Sequence, residues 1–232
     1  MAQVLSVALV VFVKTPGYSA LKTRLAAEIG VTAALTFYRL SVQAVLSVLQ
    51  SVQALDARLI PYFAVAEADA LAAHHWRETA VVAQGEGPLG TRLAHVCNAM
   101  LEQHDAVVLM GADAPQLTST ALLEVAAKLL QAAPKVQVGP ARDGGFWLLA
   151  TAERLPDALW QAVPYSQPET CVRLLQELAR HDYAVELIAT LGDVDIAADL
   201  TPLAADFAQL LNPTNAQAEL AHWLKTRDPT PP

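Results

Sequence analysis

The chain has 232 residues, 54% of them hydrophobic and 16% charged, enough apolar material for a large core and a length that suits a single domain of above-average size. Its 15 Lys plus Arg stand against 23 Asp plus Glu, a formal net charge of −8, which argues against broad contact with nucleic acid, because neutralising many phosphates takes a basic face. The two cysteines, Cys97 and Cys171, have no metal-ligand spacing, so neither a disulfide framework nor a structural zinc is expected and a reducing cytoplasm is the simple inference.

The first element is an apolar run, VLSVALVVFV at 4–13, read as a buried strand. It lacks the basic start and small-residue cleavage site of a signal peptide, and no uncharged stretch reaches the roughly 18–20 residues of a membrane span, so no span is expected. KTPGYSALKTRL follows at 14–25 and delivers Lys14, Lys22 and Arg24 from a loop opened by Pro16 and Gly17. Gly17, four residues and Lys22-Thr23 resemble a P-loop, but the second glycine is missing and the spacing is one residue short. What remains is a turn with cations at or near a helix start, where free N–H groups and the helix dipole favour an anion. The alternative is a solvated first turn.

The pattern then alternates. Residues 31–54 read as helix, 57–65 as strand, 66–77 as helix, 79–84 as strand, 88–103 as helix, 106–110 as strand and 117–133 as helix. KVQVG reads as a strand and GFWLLA as hairpin-like, a helix is expected at about 168–181, a strand at AVELIATL (184–191) and a final helix near 197–211. This order predicts one α/β domain over 1–225, a mostly parallel Rossmann-like sheet with helices on both faces, followed by a disordered tail at 226–232. GFWLLA and the apolar face of the 117–133 helix are open to a homodimer, although no pattern establishes one.

Ligands of such sheets sit at the carboxyl ends of the strands. Four loops fall there: the Lys14–Arg24 segment, GADAP after Met110, GPARDGG after Val138, and GDVD after Leu191. Asp113, fixed between Gly111 and Pro115 just beyond a buried strand, suits a hard divalent ion bridging phosphate oxygens. Asp195, chosen over Asp193, is the second candidate ligand; for each the plain reading is a turn or capping Asp. DGG alone is more often a turn than a site. The histidines have no metal-pair spacing and receive no role, and Trp147 beside DGG borders the expected pocket.

FVKTPGYSALKTRLAAEIG, QGEGPLGTRL, LMGADAPQLT, GPARDGGFWLLA, VPYSQPET and GDVDIAADL occur in the order seen in a bacterial family of GT-A-fold glycosyltransferases, formerly a domain of unknown function (DUF2064-like) and related to nucleotide-diphospho-sugar transferases and nucleotidylyltransferases. The resemblance covers about residues 4–210. It implies that Lys14, Lys22 and Arg24 hold the nucleotide's phosphates, that Asp113 and Asp195 hold Mg²⁺ or Mn²⁺, and that Asp143, Gly144 and Gly145 line the sugar or acceptor pocket. Two segments depart from the pattern: Tyr18-Ser19-Ala20 stands where many members have Pro-Gly-Arg, and Ile196-Ala197-Ala198 where they have Thr-Pro-Glu.

The expected function is therefore a metal-dependent glycosyltransferase that moves a sugar from a nucleotide diphosphate sugar to a small-molecule acceptor, with Asp143 as the base that activates the acceptor hydroxyl. The alternatives are nucleotidylyl transfer from a nucleoside triphosphate, towards which the single acid of GADAP leans, and a nucleotide-sugar-binding module without turnover.

Overall fold

The computed structural model describes residues 5–72, 74–131 and 136–227. Val4, residues 132–133 of the expected 117–133 helix, Lys135 and tail residues 228–232 lie outside the described residues. One sheet organises the chain, with β1 (Val7–Val13), β2 (Leu59–Val65), β3 (Ala80–Ala83), β4 (Ala106–Gly111), β5 (Val136–Pro140), β6 (Phe146–Thr151) and β7 (Val185–Leu187) in the spatial order β3-β2-β1-β4-β6-β5-β7. All run parallel except β6, which is antiparallel to β4 and β5. The chain winds outward from β1 through β2 to β3 and then returns to lay β4 on the other side of β1, so the order reverses between β1 and β4 and leaves a crevice at their carboxyl ends.

The first strand is apolar throughout because both its faces are covered. Val7, Leu9, Val11 and Val13 pack with Val42, Val45 and Val52 of α2 (Val31–Leu55) and Leu122 and Val125 of α4 (Ser119–Leu129). Ala8 and Val10 face the other way, towards α3 (Leu89–Leu101), α5 (Asp157–Ala162) and α6 (Thr170–Arg180), represented by Leu93, Trp160 and Leu174. A third cluster joins Leu25 of α1 (Thr23–Ile29) and Phe37 of α2 to α7 (Leu200–Ala208) and α8 (Asn215–Thr226). Among the described residues α2, with 25 residues, is long and apolar enough to cross a membrane by length and composition alone; here one side of it, from Ala34 to Val52, is buried in the core.

Several expected elements differ. Residues 66–77 form two short 3₁₀ turns, Ala68–Ala70 and His74–Trp76, rather than an α-helix. Tertiary contacts override their Ala-rich propensity: Glu67 accepts a hydrogen bond from the Thr15 N–H at 2.9 Å and the Trp76 indole N–H donates to Thr15 Oγ1 at 3.0 Å. The 184–191 strand contracts to β7, which pairs with Val136–Val138 of β5, and the chain rejoins that edge only at an isolated bridge between Ala141 and Leu191. The 197–211 helix is a 3₁₀ turn at Ala197–Asp199 followed by α7; the chain turns at Asn212-Pro213 and Thr214 caps α8, which runs to Thr226, inside the expected tail. β6 is enclosed between β4 and β5, and Leu122, Val125 and Leu129 of α4 are buried in the core, so neither surface expected for a homodimer is exposed.

The β5–β6 hairpin docks on the segment before α6 through a close backbone approach. Gly144 has φ +92°, its carbonyl accepts from the Cys171 N–H at 2.8 Å, and a Cβ there would sit 1.9 Å from the Pro168 carbonyl oxygen. Gly17 also has positive φ, +88°, but open space around it. Gly144→Ala is expected to cost about 2 kcal/mol or more through backbone strain and overlap, lowering Tm by roughly 4–8 °C in a chain of this size. Gly17→Ala pays only the conformational part, about 1–2 kcal/mol at most. Thermal unfolding of the two variants checks this; equal losses would mean that the 168–171 segment moves aside freely.

Candidate functional site

The loop after β1 is anchored before it reaches its cations. Tyr38 of α2 accepts from the Lys14 N–H at 2.9 Å and donates to the Lys14 carbonyl at 2.7 Å, and burial raises the pKa of this phenol. Thr15 is fully buried under Glu67 and Trp76. The Lys14 side chain is exposed, with no ion pair among the described residues. At the far end of the loop Lys22 adopts a left-handed backbone, φ 46° and ψ 44°, which costs a non-glycine residue about 1–2 kcal/mol and marks a position held by its surroundings.

What holds it is charge. The Lys22 ammonium lies 2.9 Å from Asp113 Oδ2 and 3.4 Å from Asp195 Oδ1, and donates to the Val194 carbonyl at 2.5 Å, with the side chain only 7% exposed. Burial pushes its pKa down, but Asp113 and then Asp195 outweigh burial and leave it above the ordinary lysine value. Arg24, 71% exposed, pairs with the other oxygen of Asp195 at 2.7 Å. The structure thus brings together residues from three loops that the sequence reading divided into phosphate binders and metal ligands.

Each carboxylate sits on a fixed backbone. Ser41 of α2 donates to the Ala112 carbonyl, and Gln217 of α8 donates to the carbonyls of Pro115 and Leu117 at 2.8 and 2.9 Å, so a helix absent from the sequence reading secures the GADAP turn. Gln116 donates to the Gly192 carbonyl at 2.7 Å and ties that turn to GDVD. The Asp199 carboxylate accepts from the N–H groups of Asp195 and Ile196 at 2.8 and 2.9 Å.

Two adjoining cavities meet at this cluster and share Phe12, Arg24, Leu89, Asp113 and Asp195. The smaller, about 340 Å³, is lined by Lys14, Lys22, Arg24, Tyr38 and Gln84. The larger, about 510 Å³, takes in Asp143, Gly145, Trp147 and Asp193, together with Tyr165 and Gln167. Asp143 is exposed and accepts from the Gly145 N–H at 2.8 Å through one oxygen. Gly144 is spent on the Pro168 contact. Trp147 is 5% exposed and donates to the Ala189 carbonyl at 3.0 Å, which makes it a buried strut at the cavity edge.

Asp193, passed over in favour of Asp195, and the Tyr165–Pro168 wall, quoted without a role, are the residues that sequence reasoning missed. A signal for Asp193 was present, since GDVD alternates two acids about one apolar residue, and Val194 is fully buried between them. Burial, followed by the charges of Asp143, Asp195 and Asp113, raises the Asp193 carboxyl to about 6.

No group of three or more His, Cys, Asp or Glu side chains that could hold a metal is present among the described residues. Asp113 and Asp195 nevertheless fit a divalent cation in one respect, because their oxygens converge on a single buried positive charge. Two carboxylates completed by substrate phosphates are a common Mg²⁺ set.

The Asp193 shift has a consequence for stability. A carboxyl whose folded-state pKa is raised favours the folded protein fully below the ordinary carboxylate value, and that contribution is lost as pH climbs through about 6. Asp193→Asn is therefore expected to stabilise the chain at pH 7.5 by about 1–2 kcal/mol, allowing for solvent screening of a group that is partly exposed, and to leave it unchanged near pH 4. Thermal unfolding at the two pH values reads the difference; a variant less stable than its parent at pH 7.5 would count against the like-charge cluster.

The fold is shared with solved structures of low sequence identity. A protein of Desulfovibrio desulfuricans G20, described as a candidate nucleotide-diphospho-sugar transferase, superposes with a TM-score of 0.80 at 22% identity over 95% of this chain and 96% of its own. The 4-diphosphocytidyl-2C-methyl-D-erythritol synthase of Anaerococcus prevotii DSM 20548 gives 0.52 at 11% identity, over 88% of this chain and 99% of that one. A cytidylyltransferase of Leptospira borgpetersenii serovar Hardjo-bovis (strain JB197) gives 0.50 at 14%, over 95% and 94%. At these identities the likeness is one of fold: a single α/β domain of the nucleotide-diphospho-sugar transferase type. No curated protein matches the sequence. The family described as "Uncharacterized protein conserved in bacteria" (DUF2064) matches residues 45–167, a span that includes the Asp113 and Asp143 loops; this is more than half of the chain, which therefore belongs to that family.

Proposed function

We propose that this chain is a glycosyltransferase that binds a nucleotide diphosphate sugar across the two cavities, together with Mg²⁺ or Mn²⁺, and moves the sugar to a hydroxyl of a small acceptor. The observation that carries the reading is the pairing of a cation-lined cavity with a carboxylate-lined one across the Asp113–Lys22–Asp195 cluster, at the point where the strand order reverses. Lys14 and Arg24 contact the diphosphate on the smaller-cavity side. Asp113 and Asp195 hold the cation, which supplies charge neutralisation for the departing diphosphate. The sugar and acceptor occupy the larger cavity, where the free oxygen of Asp143 takes the acceptor proton. Asp193, raised to about 6 by burial and its acidic neighbours in the nucleotide-free chain, lines the same cavity.

Nucleotidylyl transfer is the second reading, supported by the single acid of GADAP and by a fold shared with cytidylyltransferases. Charge in the larger cavity favours sugar transfer over it. The nearby Arg142 is committed to Asp206 at 2.8 Å, leaving Asp143 and Asp193 to repel a phosphorylated substrate on that side.

Incubating the protein with a panel of nucleotide sugars and Mn²⁺ is expected to release nucleoside diphosphate slowly, with water in the acceptor's place, and Asp113→Asn is expected to abolish the release. Pyrophosphate formed from a nucleoside triphosphate and a sugar phosphate, with no nucleoside diphosphate from any donor, would replace this reading by the second one. Binding with neither product would favour a module without turnover. Lys14→Ala and Arg24→Ala should each weaken nucleoside diphosphate binding about ten-fold or more, since a charge-assisted contact contributes about 1.5–3 kcal/mol, and leave nucleoside binding unchanged. Calorimetric titration of both ligands checks this; equal loss for the nucleoside would mean that the loop had collapsed.

A further inference from the structure

The arrangement around Lys22 contains a conflict that the nucleotide-sugar reading, on which this inference rests, must resolve. An ammonium has three donors, and those of Lys22 are spent on Asp113 Oδ2, Asp195 Oδ1 and the Val194 carbonyl. None is left for a phosphate while these contacts last. Asp113 Oδ2 and Asp195 Oδ1, closed on this ammonium, are likewise not free to take a divalent cation while it stays. Arg24 is no substitute, because it is largely exposed and engages only the second oxygen of Asp195.

We propose that Lys22 is an exchangeable counter-ion: in the nucleotide-free chain it occupies the position between Asp113 and Asp195 and excludes free divalent cations, and it leaves that position when a diphosphate in the smaller cavity offers it a new partner. The exchange needs little travel, since Lys22 lines the smaller cavity and both aspartates line the two cavities together. It also keeps charge balanced. Before binding, the Lys22 ammonium, with Arg24 at its side, faces two carboxylates; afterwards the ammonium faces phosphate, and the carboxylates face a dication. A strongly hydrated cation arriving alone must displace Lys22 with nothing to receive it, whereas one arriving with a diphosphate does not. Diphosphate and divalent cation therefore bind with positive coupling, reciprocal by thermodynamic linkage.

The test is Mn²⁺ binding by the full-length chain without nucleotide, read from the electron paramagnetic resonance signal of the free ion. Wild type is expected to bind Mn²⁺ weakly. Lys22→Met and Lys22→Gln are expected to bind it about ten-fold more tightly or better, a gain within the usual span of coupling effects, and adding Asp113→Asn to either should remove the gain. Thermal unfolding of the same samples guards against misfolding: the variants should melt below wild type, and Mn²⁺ should raise their Tm more than it raises that of wild type. Lys22→Gln, which keeps a donor for Val194, carries the test if Lys22→Met does not fold. A folded Lys22 variant that binds Mn²⁺ no better than wild type overturns the proposal.

The second arm uses UDP, CDP, GDP, ADP and dTDP. At least one should tighten Mn²⁺ binding by wild type about ten-fold, and the tightening should vanish in Lys22→Gln. Equal Mn²⁺ affinity with and without a bound nucleoside diphosphate overturns the exchange. If none of the five binds, the nucleotide-sugar reading fails instead, while the comparison of Lys22 variants without nucleotide still decides the counter-ion role.

Discussion

A single buried ammonium ties the three loops of the candidate site together. Lys22 follows β1, Asp113 follows β4, and Val194 and Asp195 follow β7, so one side chain joins points up to 173 positions apart in sequence. Stranding a buried ion by removing its partner typically costs about 3–5 kcal/mol, whereas an intact pair adds little net stability because desolvation offsets attraction. The cluster is therefore better understood as a device for fixing positions than as a source of stability.

The surrounding fold supports that device with hydrogen bonds to the backbone of its loops. Ser41 and Gln217 hold the GADAP backbone, Asp199 orients Asp195, and Tyr38 grips both polar groups of Lys14. The carboxylates and the ammonium are thus presented by carbonyl and amide contacts that do not depend on the charges, so the charges can change partners without dissolving the loops. Like-charge crowding remains at the centre. Asp193 is pushed towards neutrality by burial and by Asp143, Asp195 and Asp113, at a cost to folding.

Much of this was legible in the sequence, and the rest was hidden for identifiable reasons. Unbroken apolar runs such as residues 7–13 announce strands covered on both faces, and their carboxyl ends announce the site loops, because strand and helix periods are local. Partner choice is not local. Lys22 reads as a phosphate ligand and Asp113 as a metal ligand when each is taken alone; that the two contact each other depends on how the loops fold back over the sheet. Residues 66–77 carry helical composition yet form 3₁₀ turns because Glu67 and Trp76 are drawn to Thr15. The role of α8 was hidden for a similar reason: a polar Gln217 on a short helix gives no sign of the distant carbonyls that it satisfies.

The reversed strand explains why the larger cavity exists where it does. A parallel β5–β6 connection would need a crossover and would return the chain to the amino edge of the sheet. Because β6 is antiparallel, residues 141–145 close a short hairpin that stays at the carboxyl edge and sets Asp143 across from the Asp113 turn. Gly139 leaves room for the Trp147 indole, since a Cβ there would lie 2.5 Å from its Nε1, and Gly144 lets the 168–171 segment press onto the hairpin. The glycines, the strut and the reversed strand together fix one wall of the cavity in place. On the smaller side of the site Lys14 has no ion pair among the described residues, and Lys22 is held by Asp113, Asp195 and the Val194 carbonyl.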